Sequence, residues 1–292
     1  MSPQVKDYTK NIPKTISEIQ DLLEDVRTLF KKEPNIIHIS KTPCLFIGDT
    51  HGDFSASQKV VERFFKEENM KLIFLGDYVD RGAFQLENVL FLFLLKRDFP
   101  KKIILLRGNH EEEEMNYSYG FQSVLQQKFG REYSMIFAEF QNTFAHLPLS
   151  VLTWNHIFGV HGGIPISTKN EAIHLDEIAQ LKRGAINLQD FDFITAQLLW
   201  NDPKEEIQGA VPSGRGIGFY FGSDKFQQFI DYNNIRVVIR SHEVFQKGYK
   251  YFFNKKLISI FSALNYVYLQ GIHAKMVKLE TDDTLEIINI AS

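Results

Sequence analysis

The chain has 292 residues, 44% hydrophobic and 24% charged, with a formal net charge of −3. That is enough for one large α/β domain or two small ones with a real core, and the charge balance attracts neither nucleic acid nor an anionic membrane, so any phosphate binding must be local. The lone cysteine, Cys44, excludes an intramolecular disulfide and fits a reducing cytoplasm.

The first residues lack the apolar stretch of a secretory signal, and the longest apolar run, residues 89–95, is far below the roughly 20 residues of a membrane span. The expectation is a cytoplasmic protein with no membrane and no nucleic-acid partner. Residues 15–30 set Ile16, Ile19, Leu22, Leu23, Val26, Leu29 and Phe30 at helical spacing. Thr15 with Glu18 reads as a capping box, and Pro34 stops the pattern soon after its end. The chain shows no repeat, low-complexity stretch or Gly/Ser linker. Residues 1–43 are therefore expected to form a helical lead-in packed on one domain spanning 44–292.

From Cys44 onward one pattern repeats: a short apolar strand runs into a polar cluster. Residues 44–47 lead to Gly48-Asp49-Thr50-His51-Gly52, and 71–75 lead to Gly76-Asp77-Tyr78-Val79-Asp80-Arg81-Gly82. Residues 103–106 lead to Arg107-Gly108-Asn109-His110-Glu111, 157–160 to His161-Gly162-Gly163, and 237–239 to Arg240-Ser241-His242-Glu243. Helical segments 57–66 and 85–96 separate the first three strands, as parallel βαβ units require. Parallel strands carry their carboxyl ends to one edge, which predicts that the polar clusters converge. The 26 phenylalanines read as buried core, because aromatics dominate interior area.

Asp49, His51, Asp77, Asn109, His161 and His242 would converge there, offering oxygen and imidazole nitrogen but no thiolate. That donor set suits Mn²⁺, Fe²⁺ or Zn²⁺ rather than a structural Cys-rich site. Six ligands exceed the needs of one open catalytic ion. They suffice for two ions about 4 Å apart, bridged by a carboxylate and a water or hydroxide. Any one cluster alone would also fit a turn with satisfied polar groups; the ordered set at successive strand ends does not. His38, His146, His156, His174 and His273 fall outside the pattern, and Cys44 reads as a small core hydrophobe rather than a nucleophile.

The blocks Gly48–Gly52, Gly76–Gly82 and Gly108–Glu111 resemble the three signatures of the phosphoprotein phosphatase family of metallophosphoesterases. Residues 75–111 are similar to its eukaryotic-type serine/threonine branch. The likeness continues through Tyr119-Gly120-Phe121, His161-Gly162-Gly163, Leu199-Trp200-Asn201-Asp202-Pro203, Arg215-Gly216, Arg240-Ser241-His242-Glu243 and Phe261-Ser262-Ala263. It implies an α+β (α/β) metallophosphoesterase fold: a central β-sandwich of two mixed sheets flanked by helices, with a βαβαβ metal-binding core. It further implies a metal-dependent protein serine/threonine phosphatase in which a metal-bridging hydroxide attacks the phosphomonoester directly. Two divalent ions, Mn²⁺ foremost, would be the cofactors; phosphorylated proteins and regulatory subunits would be the partners.

Residue by residue, the resemblance gives Asp49, His51 and Asp77 to the first metal, and Asn109, His161 and His242 to the second, with Asp77 as the bridge. Arg81 and Arg215 would grip the phosphate, and Asn109 and Tyr266 would line the substrate site. His110 would be the general acid, oriented by Asp80. These roles make physical sense: arginine binds a phosphate dianion bidentately, and histidine titrates where a leaving alkoxide needs a proton. Asp80 beside His110 is expected to fix its tautomer and favour its imidazolium form. A plain Asp80–Arg81 pair holding a turn is the alternative.

The chain departs from the family at Leu264, where proline is usual, at Val267, where cysteine is often found, and at Asn201, where serine is common. Tyr268-Leu269-Gln270-Gly271 replaces an acidic, glycine-bearing loop, which leaves substrate preference and toxin sensitivity open. Loss of the proline is expected to free the backbone there. A dinucleoside-polyphosphate hydrolase would share the metal blocks, but Tyr78–Gly82 and the Arg107–Glu111 run favour the protein phosphatase. A non-catalytic metal-stabilised scaffold would have lost His110, Arg81 or Arg215, and all three are present.

Overall fold

Several strands of this protein are apolar on both faces, which leaves them no stable place except between two other layers. In the strand Cys44–Ile47, Cys44 and Phe46 face one buried layer while Leu45 and Ile47 face another. Ile73 and Leu72 divide in the same way, as do Ile239 and Val238. The result is two mixed sheets packed face to face, each covered outside by helices. The computed structural model describes residues 1–67, 69–167 and 171–291.

In chain order, helices α1 (Pro3–Lys10) and α2 (Ile16–Lys32) precede β1 (Ile36–Ile39) and β2 (Cys44–Ile47). Then come α3 (Phe54–Phe64), β3 (Lys71–Phe74), α4 (Gln85–Asp98) and β4 (Ile103–Leu105). Helices α5 (Glu113–Tyr119), α6 (Phe121–Phe129) and α7 (Tyr133–Phe144) lead to β5 (Ser150–Thr153) and β6 (Ile157–Val160). After α8 (Leu175–Ala179) and α9 (Phe193–Trp200) come β7 (Asp202–Pro203), β8 (Ala210–Pro212), β9 (Phe219–Phe221) and α10 (Ser223–Tyr232). The chain ends with β10 (Val237–Arg240), β11 (Tyr249–Phe252), β12 (Leu257–Ile260), β13 (Lys275–Leu279) and β14 (Leu285–Asn289).

One sheet runs β14-β13-β2-β3-β4, with β2, β3 and β4 parallel; the other runs β1-β5-β6-β10-β12-β11, with β6, β10 and β12 parallel. A small third sheet has the order β7-β9-β8. The five polar clusters therefore end strands of two sheets, not of one edge as the parallel pattern predicts. The antiparallel β5–β6 pair is where the chain passes into the second sheet's parallel set. The two sets of carboxyl ends are joined by a parallel bridge between Asp49 and Phe261, and the Ser262 N–H donates to the Asp49 carbonyl at 3.1 Å.

The capping box at Thr15 and Glu18 is present, and α2 buries Ile19, Leu22, Leu23, Val26 and Phe30 against α4 and α7. Helix α4 is buried continuously from Val89 to Leu95, so its phenylalanines are core. Helix α3 starts before the expected residue 57, because Asp53 caps it through the Ala56 N–H at 3.2 Å. Within residues 1–43, Ile36–Ile39 form an edge strand parallel to β5, an element the helical reading of that stretch omits.

Candidate active site and metal centre

Three of the five clusters leave their strands through turns that ordinary residues resist. His51, Asp77, Asp80, Arg81 and His242 all have positive φ, between 43° and 73°. Such conformations cost about 1–3 kcal/mol each and persist where surrounding contacts hold them. Gly76, at φ 116°, allows the loops after β3 and β4 to touch: a Cβ there would lie 2.5 Å from the Gly108 backbone.

The turns bring Asp49, His51, Asp77, Asn109, His161 and His242 into one buried cluster. The His51 Nδ1–H donates to the Val79 carbonyl at 3.0 Å, which aims Nε2 at Asp77 Oδ2, 3.4 Å away, and Asp49 Oδ2, 3.7 Å away. His161 Nδ1–H donates to the Leu75 carbonyl at 3.1 Å, which aims Nε2 at Asn109 Oδ1 (2.9 Å), His242 Nδ1 (3.2 Å) and Asp77 Oδ1 (3.4 Å). His242 Nδ1 lies 2.8 Å from Asn109 Oδ1. Burial is the first cause holding the His51, His161 and His242 imidazoles well below their usual range, so they are neutral.

The lone pairs of His51 Nε2 and His161 Nε2 thus face those of Asp49, Asp77 and Asn109, and Asp49 Oδ2 finds no hydrogen-bond partner among the described residues. Burial raises both carboxyls, and the charge of Asp49 pushes Asp77 up further. A cluster that turns so many acceptors on one another fits divalent cations, whose ligands must be deprotonated. Asp77 is shared by both halves of it: His51, Asp77 and His110 form one compact donor group, and Asp77, His161 and His242 form another.

His110 differs from the other three histidines. Its Nδ1–H donates to Asp80 Oδ2 at 2.8 Å, and its Nε2 lies 3.1 Å from an Arg81 Nη2 donor. A guanidinium beside Nε2 is a poor neighbour for a metal ligand and a good one for a group that handles protons near phosphate. Asp80 is held by the Asn116 amide at 2.9 Å and the Phe121 N–H at 3.0 Å, and burial pushes it up to about 7. The tautomer is set as expected, but the charge state is not. Burial, followed by the charges of Arg81 and Arg215, holds His110 well below its usual range. Its resting form is the neutral imidazole rather than the imidazolium expected from Asp80 alone.

Arg81 bonds the Tyr266 hydroxyl through Nη1, and the Tyr266 ring stacks on His51 with centroids 5.6 Å apart. Burial raises the Tyr266 hydroxyl to about 12, so it stays protonated. Arg215, on the turn between β8 and β9, bonds Asp202 through Nε at 2.8 Å rather than any member of the cluster. The other oxygen of Asp202 takes the buried Arg240 at 2.9 Å. Asn201 accepts the Phe219 N–H at 2.7 Å and donates to the Ile164 carbonyl at 2.8 Å, tying the small sheet to the loop after His161.

A calcineurin-like phosphoesterase family model matches residues 42–246. The chain belongs to this family. It is 34% identical over 270 residues to a Schizosaccharomyces pombe chain that carries the name serine/threonine-protein phosphatase, covering 92% of this chain and 84% of that one. It superposes with a TM-score of 0.83, at 29% identity, on a protein serine/threonine phosphatase from Saccharomyces cerevisiae, over 99% of this chain and 96% of the other. A cold-active protein-tyrosine phosphatase from a Shewanella species shares the fold at TM-score 0.62 and 18% identity, over 89% and 84% of the two chains.

Two residues of this phosphoesterase matter to the site without having been singled out in the sequence. The Glu111 carboxylate accepts the N–H groups of Asp77, Tyr78 and Gly108, each at 2.8 Å, and so locks the β3 and β4 loops together. Its signal was its place beside His110. Asp53 accepts the Leu264 and Asn265 N–H groups, both at 2.7 Å. The backbone that loss of proline was expected to free is therefore bound, because leucine supplies the N–H that proline lacks.

Proposed function

We propose that this phosphoesterase is a metal-dependent protein phosphatase acting on phosphoserine and phosphothreonine. The observation that carries the reading is the buried cluster of Asp49, His51, Asp77, Asn109, His161 and His242, with acceptors facing one another, adjoined by Arg81 and the His110–Asp80 pair. The names of the two yeast relatives support the substrate class.

In this reading Asp49, His51 and Asp77 hold one divalent ion, and Asp77, Asn109, His161 and His242 hold a second. Mn²⁺ is the ion proposed, with Fe²⁺ and Zn²⁺ as alternatives. When bound, such a pair lowers the pKa of a water and neutralises phosphoryl charge. Arg81 and Arg215 orient the phosphoryl group through planar, permanently charged forks. An arriving phosphate dianion would draw the Arg81 guanidinium from His110 Nε2 and put negative charge beside the ring, which favours its protonation. His110, held by Asp80, then delivers a proton from Nε2 to the departing seryl or threonyl oxygen. Cys44 takes no part, being buried at the start of β2 with its thiol pushed up to about 12 by burial.

The same reading puts the enzyme in the cytoplasm, which the lone buried cysteine supports, and expects regulatory subunits as partners; no helix among the described residues is long and apolar enough to cross a membrane. Metal analysis of the purified chain, with turnover of phosphoserine, phosphothreonine and diadenosine tetraphosphate substrates in Mn²⁺, tests the proposal. Two equivalents of metal and preferred hydrolysis of the phosphopeptides are expected. Preference for the dinucleotide, or full activity in a metal-free chain, would overturn it.

A further inference from the structure

A line of buried amides runs from the site to α7. Asp80 Oδ2, which accepts from His110 Nδ1, also accepts from Asn116 Nδ2 at 2.9 Å. The same Asn116 nitrogen donates to the His110 carbonyl at 2.7 Å. A carboxylate and a carbonyl only accept, so the Asn116 atom facing them must be its N–H₂, and its oxygen must point the other way. That oxygen accepts from Gln141 Nε2 at 2.7 Å, 25 residues further along the chain. Both amides are buried. The second Asp80 oxygen leads to α7 as well. It takes the Phe121 N–H at 3.0 Å, and the Phe121 ring meets Phe140 of α7 edge-on at 5.1 Å. Gln141 donates at a cost: its Oε1 is buried and has no hydrogen-bond partner among the described residues. Stability alone would favour apolar side chains at both positions over an amide pair with one end unsatisfied.

We infer that Gln141 is a positioning residue for His110: by fixing the Asn116 amide it aims Asp80 Oδ2 at His110 Nδ1, and so aims Nε2 at the departing oxygen. The inference rests on the phosphatase reading above, in which His110 gives the proton. Asp80 sits at φ 66°, a conformation that persists only where its neighbours hold it, so the direction of its carboxylate depends on the groups that donate to it. Removing the Gln141 N–H takes from the Asn116 oxygen the donor that sets the orientation of the whole amide. The Asn116 N–H₂ then loses its hold on Asp80, and the His110 ring loses its alignment. Proton delivery is sensitive to such alignment, since a displacement of about 1 Å caused by a distant substitution costs up to about 100-fold in rate. Binding of the phosphoryl group and of metal uses other side chains and should not change.

The test is Gln141→Met in the full chain with Mn²⁺, which keeps the bulk of the side chain and removes its donor. On a phosphoserine peptide kcat should fall about tenfold with KM within about twofold. On p-nitrophenyl phosphate, whose leaving group needs no proton, kcat should stay within about twofold. In a His110→Ala background the same substitution should lower neither rate further, because the two side chains act as one unit. Asn116→Leu breaks the line one step nearer the site without altering α7. It should give the same split with a greater loss, and it decides the matter should the α7 variant not fold. Equal losses on both substrates, or a further tenfold loss in the His110→Ala background, would make Gln141 a purely structural residue and overturn the inference. So would unchanged turnover of the phosphoserine peptide. A wild-type chain that does not hydrolyse that peptide would instead overturn the phosphatase reading itself.

Discussion

The Asp53 carboxylate accepts the Leu264 N–H at 2.7 Å while its other oxygen caps α3. One side chain thereby ties the loop that carries Asp49 and His51 to the loop that carries Tyr266. Leu264→Pro would remove the donor and leave a charged acceptor with one partner fewer. The expected cost is about 1–3 kcal/mol, read from urea unfolding, together with a raised KM for phosphopeptides. Unchanged stability would show that the Asn265 N–H suffices alone.

His110→Ala should leave metal content at the wild-type level, because both ring nitrogens of His110 are engaged by Asp80 and Arg81 rather than by the ligand cluster. Turnover of phosphoserine peptides should fall about 100- to 10,000-fold, as for loss of a general acid. The loss on p-nitrophenyl phosphate should be much smaller, since that leaving group departs without a proton. Equal losses on both substrates would remove His110 as the proton donor.

Glu111→Gln would set an amide N–H₂ against at least one backbone N–H, because both carboxylate oxygens now accept from the backbone. Loss of about 1–3 kcal/mol of stability is expected, with weaker retention of metal because Asp77 and Asn109 sit on the two loops that Glu111 joins. Dialysis against chelator at matched temperatures would measure the second effect.

Glu112 caps α5 through the Met115 N–H at 2.6 Å, and burial pushes its carboxyl up to about 7 from 4.5. An acid whose folded pKa is raised holds its proton more tightly in the folded state. Its contribution to stability is therefore full below about pH 4.5 and lost as pH rises through about 7. Glu112→Gln, which keeps a capping oxygen and cannot ionise, should gain in melting temperature relative to wild type between pH 5 and pH 8, by about 2 °C. A difference that stays flat across that range would refute the assignment.

Much of the candidate site was legible because its signals are local. Each ligand stands within a few residues of a short apolar strand, and all but His242 stand next to glycine, so the run from Ile47 to Asp49 or from Val160 to His161 declares a strand end without reference to anything distant. The start of α3 is not legible locally, because Asp53 reads equally well as part of a polar cluster and as a helix cap. The edge strand Ile36–Ile39 carries no local signal, because its partner, Ser150–Thr153, is remote in the chain and four residues have little period of their own.

By itself the sequence determined which donor types are available, their order, and that no thiolate is among them; these follow from residue identity and short-range period. Tertiary structure alone decided that the ligands come from two sheets, that His110 rests neutral between Asp80 and Arg81, and that Leu264 is bound to Asp53. It also joined Gln141 to His110 through Asn116 and Asp80. The physical reason is common to all four: burial, charge state and lone-pair direction depend on groups far apart in the chain, and those meet only when the two sheets pack.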